Sequence, residues 1–236
     1  PFLVTDLSAD AVEAYKTAFK KIKAFAGNIN VTLATYFDTL GNNAELAFGL
    51  ETNSVHIDLV RAPEQLEQAL NLVKPEQSLS LGLVNGRNIW INNLETSIAT
   101  AKKAVAKLGA DRVIIAPSCQ LLHVPVDLNS ETTLDDELKS WLVFATQKLD
   151  EIATIAKAAG GQESDVADKV AANTKAIAAR KISARINNAD VQKRIAGVNE
   201  SLMTRNNPYK TRQEVYRANT TRNITHNIKS TLIGII

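Results

Sequence analysis

Residues 112–126 read Arg-Val-Ile-Ile-Ala-Pro-Ser-Cys-Gln-Leu-Leu-His-Val-Pro-Val and are the most informative stretch of the chain. Residues 113–116 are apolar and mostly β-branched, and Pro117 closes the run, which predicts a buried strand. Cys119, the single cysteine of the chain, therefore follows the carboxyl end of a strand, with His123 close by. In parallel α/β folds, ligands and catalytic groups collect at that end, so we expect any functional site here.

Working outward, the chain alternates strand-like and helix-like segments. β-Branched or apolar runs predict strands at 29–37, 55–60, 79–84 and 113–116, and helical periodicity predicts helices at 8–26, 43–48, 63–73 and 94–108. This alternation indicates a parallel sheet. Four βα units are half of a (β/α)8 barrel of the TIM type, so we predict an α/β fold that is a partial barrel with open edges. A doubly wound open sheet is the alternative, although no glycine-rich phosphate-binding motif follows any strand.

The second part of the chain differs in composition and has little strand signal. Apolar spacing predicts one long helix over 131–159, which the glycine pair after it ends. Residues 160–236 carry 13 basic and 6 acidic side chains, a formal charge of +7. We predict two regions: residues 1–160, a half barrel, and residues 161–236, a mostly helical basic linker with helices at 163–180, 189–196 and 210–219. The basic side chains alternate with Ala, Asn and Thr rather than with stacking aromatics, which favours a solvated face over nucleic-acid binding.

Composition narrows the class of protein. One cysteine excludes an internal disulfide and suits a reducing compartment. No apolar run reaches 18 residues and no basic-then-apolar leader opens the chain, so we expect a cytoplasmic protein without a membrane partner. The chain starts at Pro1 without a methionine, and both ends are apolar, so we expect a piece of a longer protein.

Polar residues at the strand ends suggest three kinds of chemistry. Cys119 fits a zinc ligand, a nucleophile with His123 as its base, or a semi-buried structural thiol, and a single cysteine favours the last. Asp58 ends another strand and could converge on the same rim. The loop 85–88, Asn-Gly-Arg-Asn, fits an anion site or a simple turn that needs its glycine. His56 alternates with apolar neighbours and fits a structural histidine.

Several long strings are more specific than any spacing. They occur in order and cover residues 1–155 densely: LATYF at 33–37, VHIDLV at 55–60, GLVNGRNIW at 82–90, APSCQLLHVPVDL at 116–128 and ELKSWLVFATQK at 137–148. On these strings the chain resembles the cobalamin-independent methionine synthase family. The matching part is the second half of the N-terminal barrel and the linker between the two barrels.

The resemblance implies a two-barrel enzyme that transfers a methyl group from methyltetrahydrofolate polyglutamate to homocysteine through a zinc-bound thiolate. It implies that the zinc and the catalytic machinery belong to the C-terminal barrel, outside this chain. The two barrels look like duplicated copies. By that likeness, Asp58 and Cys119 stand at vestigial zinc-ligand positions, and Leu33 and Thr35 replace a His-x-Cys ligand pair, so we expect no metal and no catalytic residue here. Ile233 and Gly234 resemble a homocysteine-binding segment, which is incomplete because Ile235 and Ile236 replace its Ser and Phe.

Two functions follow as hypotheses. In the first, the chain is a non-catalytic part of the methyltransferase that buttresses the folate cleft, with the missing halves of the enzyme as its partners. In the second, it is a structural or interaction module, because an open half barrel has unpaired strand edges that favour pairing with a second copy.

Overall fold

A computed structural model describes residues 2–220 of the chain. The chain divides into two compact units, with the boundary between Ile182 and Ser183. The boundary that the sequence predicts at residue 160, between a half barrel and a linker, stays a prediction.

A four-stranded parallel sheet forms the centre of the first unit. Its strands lie in chain order, β1-β2-β3-β4, with the bounds β1 Thr32–Ala34, β2 Ser54–Asp58, β3 Ser78–Val84 and β4 Val113–Pro117. Sequential parallel strands joined by helices are the arrangement of a (β/α)8 barrel, and four strands make half of one. The predicted fold class, a partial barrel, is confirmed.

Helices connect and follow these strands. Their bounds are α1 Ala9–Ala26, α2 Ala44–Gly49, α3 Leu66–Leu72, α4 Leu94–Leu108, α5 Asp136–Lys139, α6 Ala145–Ala159, α7 Ala167–Ile182, α8 Ala189–Ala196 and α9 Glu200–Met203, and residues 209–220 are also helical. Local signals set several ends: the Ser8 side chain caps α1, the Asn93 side chain caps α4, and Gly109 with φ 88° ends α4. The strand expected at 29–37 is shorter than predicted, since only Thr32–Ala34 pairs with β2.

The sheet has one apolar face and one polar face. Successive side chains of a strand point to opposite faces, and the apolar set belongs to one continuous core with α2, α3, α4 and α6: Leu33, Val55, Ile57, Leu79 and Leu81. The opposite face carries small and polar side chains: Ser54, His56, Asp58, Ser80 and Gly82. The core-forming helices pack on the apolar face, as in the wall of a barrel, whereas a doubly wound fold has helices on both faces of its sheet.

The last strand, β4, corrects one expectation. Its predicted complete burial is wrong: all its residues are partly exposed, and Ile114 keeps 45% of its surface accessible. The reason is its place at the edge of the sheet, where only β3 pairs with it among residues 2–220. A run of β-branched residues predicts the strand but does not say whether both of its sides are covered.

The long helix expected over 131–159 is also wrong, because the chain leaves helical geometry at residues 140–144. Trp141 and the next three side chains are consecutively buried. The segment pairs with residues 89–91 through hydrogen bonds from Ile91 N to Trp141 O, 3.0 Å, and from Val143 N to Ile89 O, 2.8 Å. A helix in this environment would bury only one face, so four buried neighbours require an extended segment between α5 and α6.

The second unit, as far as residue 220, is helical and exposes apolar side chains, among them Val191, Ile195 and Leu202. The helix predicted at 189–196 is confirmed with these bounds, whereas α9 was not predicted. Among residues 2–220, no helix is both long enough and apolar enough to span a membrane.

Two charged side chains of α6 enter the core and hold the loop that follows β3. Lys148 is completely buried and its Nζ donates to Trp90 O at 3.4 Å, and Glu151 Oε1 accepts from Asn92 N at 2.7 Å. Burial lowers the pKa of Lys148 and raises the pKa of Glu151 to about 7, although the Asn92 N–H and the Lys148 charge act to lower the latter. Glu151 Oε2 has no hydrogen-bond partner among residues 2–220, so ionisation of Glu151 carries a cost that its contacts do not fully offset.

On the other side of this loop lies α7. Asn173 Nδ2 donates to Asn92 O at 2.8 Å, and Asn173 Oδ1 accepts from Leu94 N at 3.2 Å. The Arg180 guanidinium lies 3.8 Å from the centroid of the Trp90 ring. The loop after β3 is thus held between two helices that lie outside the repeating βα units.

We expect Glu151→Gln to flatten the pH dependence of the free energy of unfolding. The native state retains a proton on Glu151 between the ordinary value of 4.5 and about 7, so this group's contribution is most favourable below pH 4.5 and is lost as the pH rises to 7. The loss is roughly 3 kcal/mol, at 1.36 kcal/mol for each pKa unit. Urea unfolding at pH 5, 6, 7 and 8 measures it. Glu95→Gln, which removes an exposed carboxylate of α4, should keep the parent slope, and an unchanged slope in Glu151→Gln would contradict the prediction.

At Gly82, β3 lies very close to β2 and to the end of β4. A Cβ on this residue would lie 2.8 Å from Ile57 O, 2.9 Å from Ser118 Cα and 3.0 Å from His56 Cε1. Two of these atoms are backbone atoms of strand ends, which cannot move without shifting the sheet. The absence of a side chain at this position lets the polar face close over His56.

Gly82→Ala should therefore destabilise the chain, by about 1–3 kcal/mol for an overpacked core. Gly49→Ala is the matched control, because no atom lies within 4 Å of its added Cβ and its φ is not positive. That change should be neutral or slightly stabilising, since alanine restricts the unfolded chain. Denaturant midpoints of the two variants test the contrast, and equal midpoints would show that the close approach at Gly82 is not rigid.

Candidate functional site

The carboxyl ends of the four strands form a polar rim, and Asp58 is its central group. The side chain is 1% exposed. Its Oδ2 accepts from Phe37 N at 3.0 Å, and its Oδ1 accepts from Val60 N and Arg61 N, each at 3.0 Å. Three backbone N–H groups thus use both oxygens, and one carboxylate joins the loop after β1 to the loop after β2.

His56 lies one layer below, on the polar face of β2. Nδ1 lies 2.9 Å from Ser80 Oγ, and Nε2 lies 3.4 Å from Ser118 O. A carbonyl only accepts, so Nε2 carries the proton and Nδ1 accepts from the Ser80 hydroxyl. Burial lowers the pKa of His56, which keeps the ring neutral. The residue links β2, β3 and β4, as expected for a structural histidine.

Cys119 is buried at the end of β4, 4% exposed. Its Sγ donates to Gln120 O at 3.5 Å, and burial raises the pKa of the thiol, so the neutral form predominates. His123 ends an exposed turn, and no hydrogen bond joins it to Cys119 in the described part of the chain. The nucleophile-and-base interpretation therefore lacks both the thiolate and the contact that it needs.

The side chains at this rim lack free donor atoms that could bind zinc. Leu33 is buried in the core and Thr35 Oγ1 donates to His56 O at 2.6 Å, so neither position offers a soft donor. Both oxygens of Asp58 are engaged and the Cys119 thiol is held protonated. Residues 2–220 contain no group of three or more His, Cys, Asp or Glu side chains able to hold a metal ion. The residues present do not fit the metal that the resemblance implies for the catalytic copy.

The loop after β3 closes the rim opposite Asp58. Gly86 N donates to Ser118 Oγ at 3.2 Å, and a Cβ on Gly86 would lie 2.8 Å from Cys119 O, so the loop runs directly against the end of β4. The Arg87 guanidinium lies 4.7 Å from the centroid of the Phe37 ring. Phe37 has φ 87°, a conformation rare for a residue with a side chain. Its place in the site was not predicted, because no sequence signal marks a phenylalanine with positive φ.

The structure thus brings together the predicted rim residues Asp58 and Cys119, with the loop 85–88 beside them, and leaves His123 outside. Ile233 and Gly234, the predicted homocysteine positions, lie outside the described residues. A separate groove of about 800 Å³ lies between α3 and α4, and none of the polar rim residues lines it. The groove is therefore separate from the polar rim.

Comparisons with known proteins identify relatives of this sequence. Residues 1–109 match the family described as cobalamin-independent synthase, N-terminal domain. Two similar curated proteins are both called 5-methyltetrahydropteroyltriglutamate–homocysteine methyltransferase. The one from Saccharomyces cerevisiae is 45% identical over 90% of this chain, and the one from Nitrobacter winogradskyi is 42% identical over 92%.

The chain is much shorter than these relatives, and spans 27% of the length of the yeast protein and 28% of that of the bacterial one. The matched N-terminal domain, the identity along most of the chain and the half-barrel fold agree with one another. The chain belongs to the cobalamin-independent methionine synthase family.

Proposed function

We propose that this chain is a non-catalytic region of a methyltransferase that makes methionine from homocysteine and 5-methyltetrahydropteroyltriglutamate. In this proposal residues 1–160 are the second half of the N-terminal barrel, and residues 161–236 form a basic linker towards a catalytic barrel outside the chain. That barrel would hold the zinc ion and Ile233 and Gly234 would open its homocysteine site. A cytoplasmic location is part of the proposal.

The observation that carries the proposal is the state of the rim. In a (β/α)8 barrel the catalytic groups stand at the carboxyl ends of the strands. Here Asp58 is bound by three backbone N–H groups, and the Cys119 thiol is buried and protonated. Groups engaged in this way cannot act as ligand, base or nucleophile without breaking the loops that they join. The rim is therefore suited to support, as a rigid wall beside the cleft in which the substrates meet.

We expect this chain alone to form no methionine from homocysteine and 5-methyltetrahydropteroyltriglutamate, and the full-length polypeptide from the same source to form it. The reason is that residues 2–220 contain no group of side chains able to hold a zinc ion that would activate a thiolate. Methionine released over time, with zinc supplied, measures both. Methionine formation by the isolated chain would overturn the non-catalytic role, and an inactive full-length protein would overturn the reaction itself.

A second candidate, self-association as a structural module, is favoured by the open edges. Ile114 on the edge strand β4 is 45% exposed, and Phe25, at the end of the helix that precedes the other edge strand β1, is 96% exposed. Unpaired backbone on β1 and β4 can accept a strand from another copy.

If this second function is correct, the chain should dimerise as its concentration rises from about 1 to 100 μM. Ile114→Lys should then weaken the dimer, because a charge on the edge strand opposes pairing. Leu149→Lys, at a residue that is 57% exposed on α6, is the matched control and should not weaken it. Sedimentation equilibrium distinguishes the two candidates, and a monomer throughout this range would exclude self-association.

A further inference from the structure

The loop after β3 is joined to its neighbours through its backbone. Between Ile89 and Leu94, its polar groups bind three elements outside it: the extended segment 141–143, the helix α6 and the helix α7. Its apolar side chains contribute less, since Ile89 and Ile91 are only partly buried and Trp90 keeps 37% of its surface accessible. A segment held mainly by hydrogen bonds can open locally while the rest of the domain stays folded.

Glu151 is the hydrogen-bond partner of this loop that is itself incompletely paired. Its side chain is 7% exposed, and its two oxygens differ: Oε1 accepts from Asn92 N at 2.7 Å, whereas Oε2 has no hydrogen-bond partner among residues 2–220. Ionisation of a buried carboxyl group costs free energy that one N–H group does not offset. The contacts of Glu151 therefore suit a neutral carboxyl group better than a charged one.

Two charged groups of α6 act on Glu151, and they act in opposite directions. Lys148 lowers the pKa of Glu151 and Asp150 raises it. Lys148 forms no ion pair with Glu151 within residues 2–220, and its Nζ donates to Trp90 O instead. Burial outweighs the Lys148 charge and the Asn92 N–H, and raises the pKa of Glu151 to about 7.

The other elements packed on this loop bring little charge to it. The side chains by which α4 and α7 bind Asn92 are uncharged: Ser97 Oγ accepts from Asn92 Nδ2 at 2.7 Å, and Asn173 Nδ2 donates to Asn92 O at 2.8 Å. Residues 141–143 are apolar. The Arg180 guanidinium of α7 lies over the Trp90 ring, and all other charged side chains of α4 and α7 are at exposed positions.

We propose that Glu151 is a proton-dependent latch for the loop after β3. While its carboxyl group carries a proton, the loop stays bound to α6. When the group ionises, the closed loop leaves a charged oxygen without partners, and local opening lets water reach that oxygen. The same loop places Gly86 N against Ser118 Oγ, at 3.2 Å, so opening also loosens the rim at the end of β4.

The pH range of the latch follows from its two states. In the closed loop the pKa of Glu151 is about 7, and in the open loop it returns to the ordinary value of 4.5. Opening therefore favours loss of a proton, and the open fraction rises as the pH rises from 4.5 to 7 and levels off above that range. Between pH 5.5 and 7 we expect the equilibrium constant for opening to rise about tenfold.

Hydrogen–deuterium exchange of the full-length enzyme measures this opening in peptides that cover residues 85–94. Their protection factors, which correct the exchange rates for the intrinsic effect of pH, should fall about tenfold between pH 5.5 and 7. Glu151→Gln should abolish the fall, because its amide is neutral at every pH. Glu95→Gln removes an exposed carboxylate from the adjoining helix α4 and is the matched control, which should keep the fall.

Asn173→Ala separates the latch from the rest of the packing. It removes the two hydrogen bonds by which α7 holds the loop and leaves Glu151 in place. Protection of residues 85–94 should therefore be lower at every pH, with the same dependence on pH as in the parent. Because this variant keeps the titrating group, it reports on the latch even if Glu151→Gln does not fold.

Three results would overturn the latch. Constant protection of residues 85–94 between pH 5.5 and 7 would show that the carboxyl group does not control the loop. An equal fall in peptides that cover β3, residues 78–84, would show a global loss of stability in place of a local opening. A fall that persists in Glu151→Gln would assign the pH dependence to another group.

Discussion

The division of the parallel sheet into one apolar face and one polar face is the constraint on which the rest of this structure depends. Strand geometry sends alternate side chains to opposite faces, and the apolar set, with Val55 and Leu79 fully buried, lies under the helices. The other set is polar and faces the space that a closed barrel would enclose. This division explains the polar rim, and the open edges follow because among residues 2–220 only β2 pairs with β1 and only β3 pairs with β4.

Polar groups on the inner face are tolerated because nearly all are paired. His56 joins three strands through Ser80 and Ser118, and Asp58 joins two loops through three backbone N–H groups. These hydrogen bonds fix the rim, and they engage both ring nitrogens of His56 and both carboxylate oxygens of Asp58. At this rim the polar side chains thus serve as structural hydrogen-bond partners of the strands and loops.

The helices α6 and α7, which lie beyond the βα units, hold the loop after β3 in place. Lys148 and Glu151 from α6, and Asn173 and Arg180 from α7, hold the loop after β3 from two sides. That loop carries Arg87 to the rim. The helices α6 and α7 are therefore connected through packed side chains and hydrogen bonds to the rim.

Much of this protein was determined by its sequence alone. Period-two and helical patterns, the Ser8 and Asn93 caps and Gly109 specify the order and most bounds of the elements, because these signals act within a few residues. Tertiary structure decided the rest. Residues 140–144 leave the helix because four adjacent side chains are buried while the segment pairs with residues 89–91, and β4 is partly exposed because within residues 2–220 no strand covers its outer side. Asp58 also binds Phe37 N, 21 residues away, and Gly86 lies against Cys119, contacts that only the folded chain brings together.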